Sequence, residues 1–591
     1  MNSLTPEQKQ IGSDNYYEAL GISRRDFLKG VALAGVTSGA GLGAMYFGYE
    51  NRVADPVRLG VIGTGDEGSV LIGSLNPNYV DVKAICDIRP FSIHRAFHGD
   101  WSTENTIVVR PGLMNIFGWK TEDEARQHVQ VHKDYQELLK NRDIEAVIIA
   151  LPLHLHAEVA IAAMTAGKHV LTEKLMAYDI ASCKEMARVA AAQDKYLATG
   201  HQRHYSVLYD NAVHLIKWGL LGQIHHIRAQ WHRGNLPGRD SWKQALPGGE
   251  MTADGKKRDP ILDQLKKLQE KVKSPNVSPS ELAMLEKQLA QWTAWNADRE
   301  LTAEDYGYQT LTLPDGRQRS AMEELCRWRL WDRTGGGLMA ELGSHQLDAA
   351  SIFISSLRQD GKKAHPLSVH AVGGRHIFPI DRDCFDHVYC TFEFPGPAYE
   401  PREKPDYYGF QDPYTGYDAT QGIPAYSDDP NKRIVVTYSS INGNGFGGYG
   451  EVVLGTKGTL VLEREQEVLL YKDSDTSSRV TVKDDKGGPT MDTSHSGDMG
   501  AGLAKAADTG PVSRGYTEEI EHWAWCIRNK APENQPRCRP EVALGDAVIA
   551  LSCNVAMRNA AANKGGYLQF RDEWFDVDSD ETPDGSSPRR V

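Results

Sequence analysis

The string Gly63-Thr64-Gly65-Asp66-Glu67-Gly68 follows an apolar run and opens a helical pattern, and nineteen residues past Gly68 the next apolar run ends in an acid, Asp87. Glycines at this spacing let a turn close tightly, a backbone approach a pyrophosphate and a helix pack on a strand, while the first N–H groups of the helix attract phosphate. Asp87 is placed to accept from a ribose diol and to repel a 2′-phosphate, so NAD is expected rather than NADP, with Arg89 nearby softening that preference. A second pair, Glu173-Lys174, ends the apolar run that starts at His169 and reaches the crevice where open α/β sheets bind ligands. A third unit, Gly335-Gly336-Gly337, is expected to bring bare backbone against a ligand, and in the helical pattern after it Glu341 and His345 are four apart and share a face. An acid beside an imidazole in a cleft is a proton-transfer couple.

A metal built on Glu341, His345 and Asp348 is conceivable by residue type, but the spacing offers neither another imidazole nor a cysteine, and no metal is expected. The eight cysteines show no C-x-x-C pattern and read as small buried hydrophobes, consistent with folding in a reducing compartment; Cys526 and Cys538 are the pair that could oxidise later. A net charge of -13, with no basic cluster beyond Arg24-Arg25 and the Arg589-Arg590 end, argues against a nucleic-acid binder.

Ser23-Arg24-Arg25-Asp26-Phe27-Leu28-Lys29 has the form of a twin-arginine export signal, and residues 31–49 are free of charge and rich in small residues. The twin-arginine machinery is therefore the expected partner and the periplasm the expected location. No A-x-A cleavage site is evident, so residues 1–50 are either removed or kept as an inner-membrane anchor. Beyond that membrane no soluble NAD pool exists, and an exported enzyme must carry its dinucleotide and keep it.

The elements that must position these groups follow in order. Apolar runs at residues 57–62, 80–86, 146–150, 169–172 and 196–199, alternating with helical stretches, predict a doubly wound parallel sheet over residues 56–200. Longer strands at 223–231, 368–377, 386–394, 433–439 and within 449–471, with helices at 205–218, 338–355, 517–529 and 540–559, predict a second α+β domain over 201–570 with a large, mostly antiparallel open sheet. Such a sheet offers a face for self-association, so a homo-oligomer is expected. Two heptad-like stripes joined by Ser274-Pro275-Asn276-Val277 predict a helical hairpin inserted at 255–295, either a lid, a subunit contact or a hairpin packed on its own domain. A Tyr-, Pro- and Asp-rich insertion at 398–431 reads as an ordered loop near the site, residues 473–502 as mobile, and 572–591 as a disordered acidic tail.

Taken together the strings resemble the Gfo/Idh/MocA oxidoreductase family, named after glucose-fructose oxidoreductase and inositol dehydrogenase. The resemblance rests on the glycine turn, on Leu151-Pro152-Leu153-His154-Leu155-His156, on Gly167-Lys168-His169-Val170 leading to Glu173-Lys174, and on the glycine-led helix ending in Gly343-x-His345-x-x-Asp348. It implies a catalytic set of Lys174, Glu341 and His345. His345 would serve as general base, Lys174 would stabilise charge on the reacting oxygen, and Glu173 would hold the lysine beside the cofactor. His156 is implied as a cofactor contact, Arg203 and Asp348 as substrate contacts. Two departures stand out. Leu175 replaces the usual proline, and since a cis bond to leucine costs about 3 kcal/mol, a trans peptide and a displaced Lys174 are expected. Glu341 stands where the family has aspartate.

The resemblance implies an exported oxidoreductase with tightly bound NAD acting on a sugar, glycoside or cyclitol hydroxyl, as a dehydrogenase or a sugar transhydrogenase. A redox-neutral NAD-dependent glycosidase is the first alternative, with Tyr408 or Tyr414 available for its proton transfers, and an inactive sugar- or NAD-binding protein is the second.

Overall fold

The computed structural model describes residues 4–21, 42–252, 254–399, 429–472, 481–485, 488–492 and 514–589. The twin-arginine string, Tyr408 and Tyr414 lie outside them.

Six parallel strands form the first sheet: β1 (Val57–Ile62), β2 (Val80–Cys86), β3 (Gln130–His132), β4 (Ala146–Ile149), β5 (His169–Glu173) and β6 (Leu197–Gly200). Their order is β3-β2-β1-β4-β5-β6, so the strand direction of travel reverses between β1 and β4 and opens a crevice at their carboxyl ends. β4 is buried along its whole length, as a strand covered on both faces must be. Helices His156–Thr165 and Ile180–Ala192 supply one cover through Val159, Ala163, Cys183 and Met186. The other cover includes a helix from far along the chain, Tyr516–Arg528, whose Ile520, Trp523 and Ala524 pack with Val57, Leu59 and Val61. The first domain therefore closes only with a segment more than three hundred residues beyond residue 200, which apolar patterning cannot assign to either sheet.

The second sheet has eight strands: β7 (Ile224–His232), β8 (Ser368–Gly374), β9 (His387–Pro395), β10 (Arg433–Ile441), β11 (Tyr449–Gly455), β12 (Gly458–Glu463), β13 (Glu467–Lys472) and β14 (Tyr567–Gln569). The order is β13-β12-β11-β7-β10-β9-β8-β14, antiparallel except for the β7–β10 pair. Alternating burial along β9 and β10 marks a sheet with one face in the core. Helices Ser344–Ser355 and Pro540–Ala561 cover that face.

The inserted hairpin is present as helices Pro260–Val272 and Pro279–Ala297, the second capped by Ser278, whose hydroxyl accepts from the Glu281 N–H. It docks across the domain boundary on the helix Pro90–His98: Trp295 stacks on Phe91 at 4.6 Å, and Gln291 accepts from the Trp101 N–H at 2.7 Å. Within 473–502, expected to be mobile, residues 481–485 and 488–492 pair as two antiparallel strands. The tail at 572–589 is not disordered: Trp574 and Phe575 are buried, and the Lys184 ammonium donates to the carbonyls of Glu573, Ser579 and Glu581 at 2.7–2.9 Å. Composition concealed this, because two aromatic anchors and one buried cation fix an otherwise polar segment. All eight cysteines are free and buried. Before the twin-arginine string, helix Pro6–Ala19 lies along β13, with Asn15 donating to the Leu470 carbonyl at 3.0 Å; after it, Tyr46 of helix Leu42–Phe47 bonds Asn211 while Ala44 and Tyr49 join the core of the first sheet.

Candidate active site

A cleft of about 950 Å³ runs from the carboxyl ends of β1 and β2 to the helix that carries His345. At its first end the three glycines do separate jobs. Gly63 has φ +88°, and a Cβ there would stand 2.3 Å from the Ala150 carbonyl oxygen; a Cβ on Gly68 would stand 2.2 Å from the Gly63 oxygen. A Cβ on Gly65 meets nothing within 4 Å and would project into open space, which is the cradle a dinucleotide phosphate requires. Asp87 accepts from the Thr64 N–H at 2.8 Å and the Arg89 N–H at 2.9 Å, leaving its carboxylate on the cleft wall. The Arg89 guanidinium, which could have favoured a 2′-phosphate, is instead bound by Asp298 at 2.8 Å from the end of the inserted hairpin. The segment after the hairpin forms the opposite wall through Tyr306, Tyr308 and Cys326. Nothing in the types or spacing of these residues announced that role.

At the other end Glu173, Lys174, Glu341 and His345 all line the cleft. Lys174 donates to the Glu341 carbonyl at 2.8 Å, and its ammonium is 3.9 Å from the Glu341 carboxylate. The peptide from Lys174 to Leu175 is cis, not trans as expected, and Lys174 reaches the site; Leu175 is buried and its carbonyl lies 2.9 Å from His156 Nδ1. Glu341 does not pair with His345. Its carboxylate accepts from Arg329 Nε at 2.7 Å, because residues Met339–Gly343 form a π turn whose wider winding shifts the four-residue register assumed for an α-helix. Burial alone would raise the Glu341 carboxyl, but Arg329 and Lys174 outweigh it and hold it down to about 2. His345 is pushed well below its ordinary value, first by burial and then by the Lys174 charge, so its imidazole is neutral; its Nδ1 has no hydrogen-bond partner among the described residues. Glu173 moves the opposite way, to about 8, by burial and the nearby Glu67; its Oε2 accepts from the Lys174 backbone N–H at 3.1 Å, so it braces the backbone of the lysine and not its ammonium.

Four expectations are displaced. The three glycines at 335–337 do not line the cleft; Gly336 and Gly337 adopt φ of +68° and +73° and turn the chain against Leu153 and Cys384. His156, expected to contact the cofactor, does not line the cleft; its ring nitrogens lie 2.9 Å from the Leu175 and Leu151 carbonyls and tie those two segments together. Arg203 is buried among Glu465, Glu451 and Gln346 and donates to the His345 carbonyl, so it positions the histidine from behind. Asp348 lies in a buried cluster with His204 at 3.0 Å, His201 at 3.6 Å and Lys363 at 3.5 Å. Asp348, His201 and Asp546 stand close enough to share a cation, a place the Lys363 ammonium takes at 2.5 Å from Asp546. Sequence reasoning missed Arg329, Trp231, Arg233, Arg514 and Tyr516, all on the cleft wall.

Residues 57–201 match the Gfo/Idh/MocA family, described as an oxidoreductase family with an NAD-binding Rossmann fold. A glycosyl hydrolase family 109 protein of Solibacter usitatus is 27% identical over 209 residues, 34% of this chain and 44% of the relative. A 1-carboxy-3-chloro-3,4-dihydroxycyclohexa-1,5-diene dehydrogenase of Comamonas testosteroni is 30% identical over 174 residues, 29% of this chain and 37% of the relative. The chain thus spans less than half the length of these curated relatives. Among solved structures, the aldose-aldose oxidoreductase of Caulobacter crescentus is 14% identical with a TM-score of 0.47, covering 87% of this chain and 100% of that one.

Proposed function

We propose that this chain, whose residues 57–201 fold as the NAD-binding domain of that oxidoreductase family, is an NAD-dependent oxidoreductase acting on a hydroxyl of a sugar, glycoside or cyclitol. Gly63, Gly65, Gly68 and Asp87 would hold the dinucleotide, which when bound supplies a hydride acceptor and donor. His345, kept neutral, takes the hydroxyl proton. Lys174, fixed by the Glu341 carbonyl and carboxylate, donates to the reacting oxygen and stabilises its growing negative charge. The observation that carries the reading is that one continuous cleft holds the open Gly65 cradle at one end and the Lys174, Glu341 and His345 groups at the other. The test is absorbance near 340 nm of the purified full chain with NAD and a panel of sugars and cyclitols. Reduction that disappears in K174M and H345N supports the reading; a protein that binds NAD or sugar without any absorbance change refutes it in favour of a binding role.

A redox-neutral glycosidase is the second reading, favoured by the match to glycosyl hydrolase family 109 proteins. Release of a chromogenic aglycone without added cofactor would establish it. Export by the twin-arginine route, a retained dinucleotide and self-association complete the proposal. The open sheet presents His370, Val372, Tyr389, Thr391 and Tyr567 on one exposed surface, which suits a second copy. Packing of helix Pro6–Ala19 on β13 favours retention of the leader, and intact-mass measurement of the exported protein reads it directly.

A further inference from the structure

The cations around the catalytic end of the cleft are nearly all committed. Lys174 and Arg329 face Glu341, and Arg514 is held by Glu465 through two bonds of 2.7 and 3.0 Å. Arg233 is different. It lines the same cleft and feels the Glu341 carboxylate at longer range, yet its guanidinium makes no hydrogen bond or ion pair among the described residues, and its Nε is buried without a partner. It is not loose: the backbone N–H donates to the Ile441 carbonyl at 2.8 Å just beyond β7, and the guanidinium lies 5.5 Å from both the Trp231 and the Trp242 ring centres. Trp231 also stacks on Tyr449 at 4.4 Å and stands 5.6 Å from the His345 ring, so the aromatic platform touches both the base and the uncommitted cation.

A guanidinium whose Nε is withdrawn from water without a partner carries a cost that a planar anion reaching it from the cleft can restore, since its fork of donors matches a carboxylate with two parallel bonds. The dinucleotide phosphates have their own cradle at Gly65, on the helix Asp66–Gly73. Resting on the oxidoreductase reading above, we propose that the substrate is a sugar acid, whose ring lies on Trp231 near His345 and whose carboxylate is received by Arg233.

The experiment is calorimetric binding of uronic and aldonic acids, each against its neutral parent sugar and its sulfate ester, to the NAD-loaded full chain, with absorbance near 340 nm recorded on the same samples. The expected result is a preference of about 10- to 100-fold for at least one acid over its parent, the range of charge-assisted hydrogen bonds. That preference should be abolished in R233M and partly kept in R233K, while NAD affinity is retained in both. If no acid of the panel binds more tightly than its parent, or sulfate esters are preferred over carboxylates, the proposal fails. If R233M weakens NAD and leaves the preference intact, Arg233 serves the cofactor and the proposal fails. Neutral sugars that reduce the cofactor as well as the acids do would overturn the sugar-acid proposal and leave the oxidoreductase reading standing. Acids that bind through Arg233 without any change near 340 nm would overturn the oxidoreductase reading, and with it the acid as substrate, leaving Arg233 only as a carboxylate-binding group.

Discussion

Replacing Arg329 by methionine tests whether the charge chain Arg329–Glu341–Lys174 is what fixes Lys174. Glu341 is held at about 2 against an ordinary 4.5, a gap worth ~3 kcal/mol of preference for the ionised form in the folded protein. The sign follows from linkage. A carboxyl depressed on folding contributes stability that is complete above pH 4.5 and is lost as pH falls toward 2. Both partners are mostly shielded from water, with side-chain exposures of 23% and 16%, so screening removes only part of that value. R329M leaves the Glu341 carboxylate enclosed without its 2.7 Å donor, and at pH 7.5 should lower stability by about 2–4 kcal/mol. Glu341→Gln removes the charge that needs a partner, so R329M/E341Q should be no less stable than R329M alone. The assay is urea denaturation of the four proteins, followed by kcat, which should fall in R329M because Lys174 loses the fixed carboxylate beside it. Effects of the two single substitutions that add within ~0.5 kcal/mol would refute the coupling of Arg329 to Glu341, and an unchanged kcat in R329M would refute the claim that this pair holds Lys174.

The glycine turn should separate binding from folding. G65V should abolish NAD binding by calorimetry while leaving the melting temperature unchanged, since its side chain enters open space. G68A should instead lower the melting temperature, since its Cβ meets the Gly63 oxygen at 2.2 Å. K174M and H345N should each reduce kcat by about 10²–10³, with NAD affinity retained by fluorescence titration. For Glu173, raised to about 8 on folding, the sign is opposite to that of Glu341. The folded protein keeps a proton that the unfolded chain releases above 4.5, so stability falls as pH rises from 4.5 to 8. E173Q should flatten that slope in denaturation curves taken across the range.

How much of this was legible depended on whether a residue's role is set by its neighbours in sequence or by partners far away. The turn at 63–68, Asp87 and the strand ending in Glu173-Lys174 are local units: apolar runs fix the strands, glycines fix the turns, and the carboxyl ends of parallel strands must face the crevice. Both sheets and nearly all their strands followed from the same period-two and alternating β/α patterns. The errors concern groups whose meaning is tertiary. Arg203 and Asp348 have the residue types of substrate contacts, yet Glu451 and Glu465 on one side and His204 and Lys363 on the other claim them in the core. Those partners lie up to 262 residues away, and no spacing rule connects them. Arg233 is the converse case. It was invisible as a motif and becomes informative only when every neighbouring cation is seen to have found its anion. In a cleft assembled from distant segments, the charge left without a hydrogen-bonded anion carries more information about the ligand than the charges that form recognisable strings. That is why the proposed carboxylate of the substrate, unlike the cofactor turn, is argued from the folded structure alone.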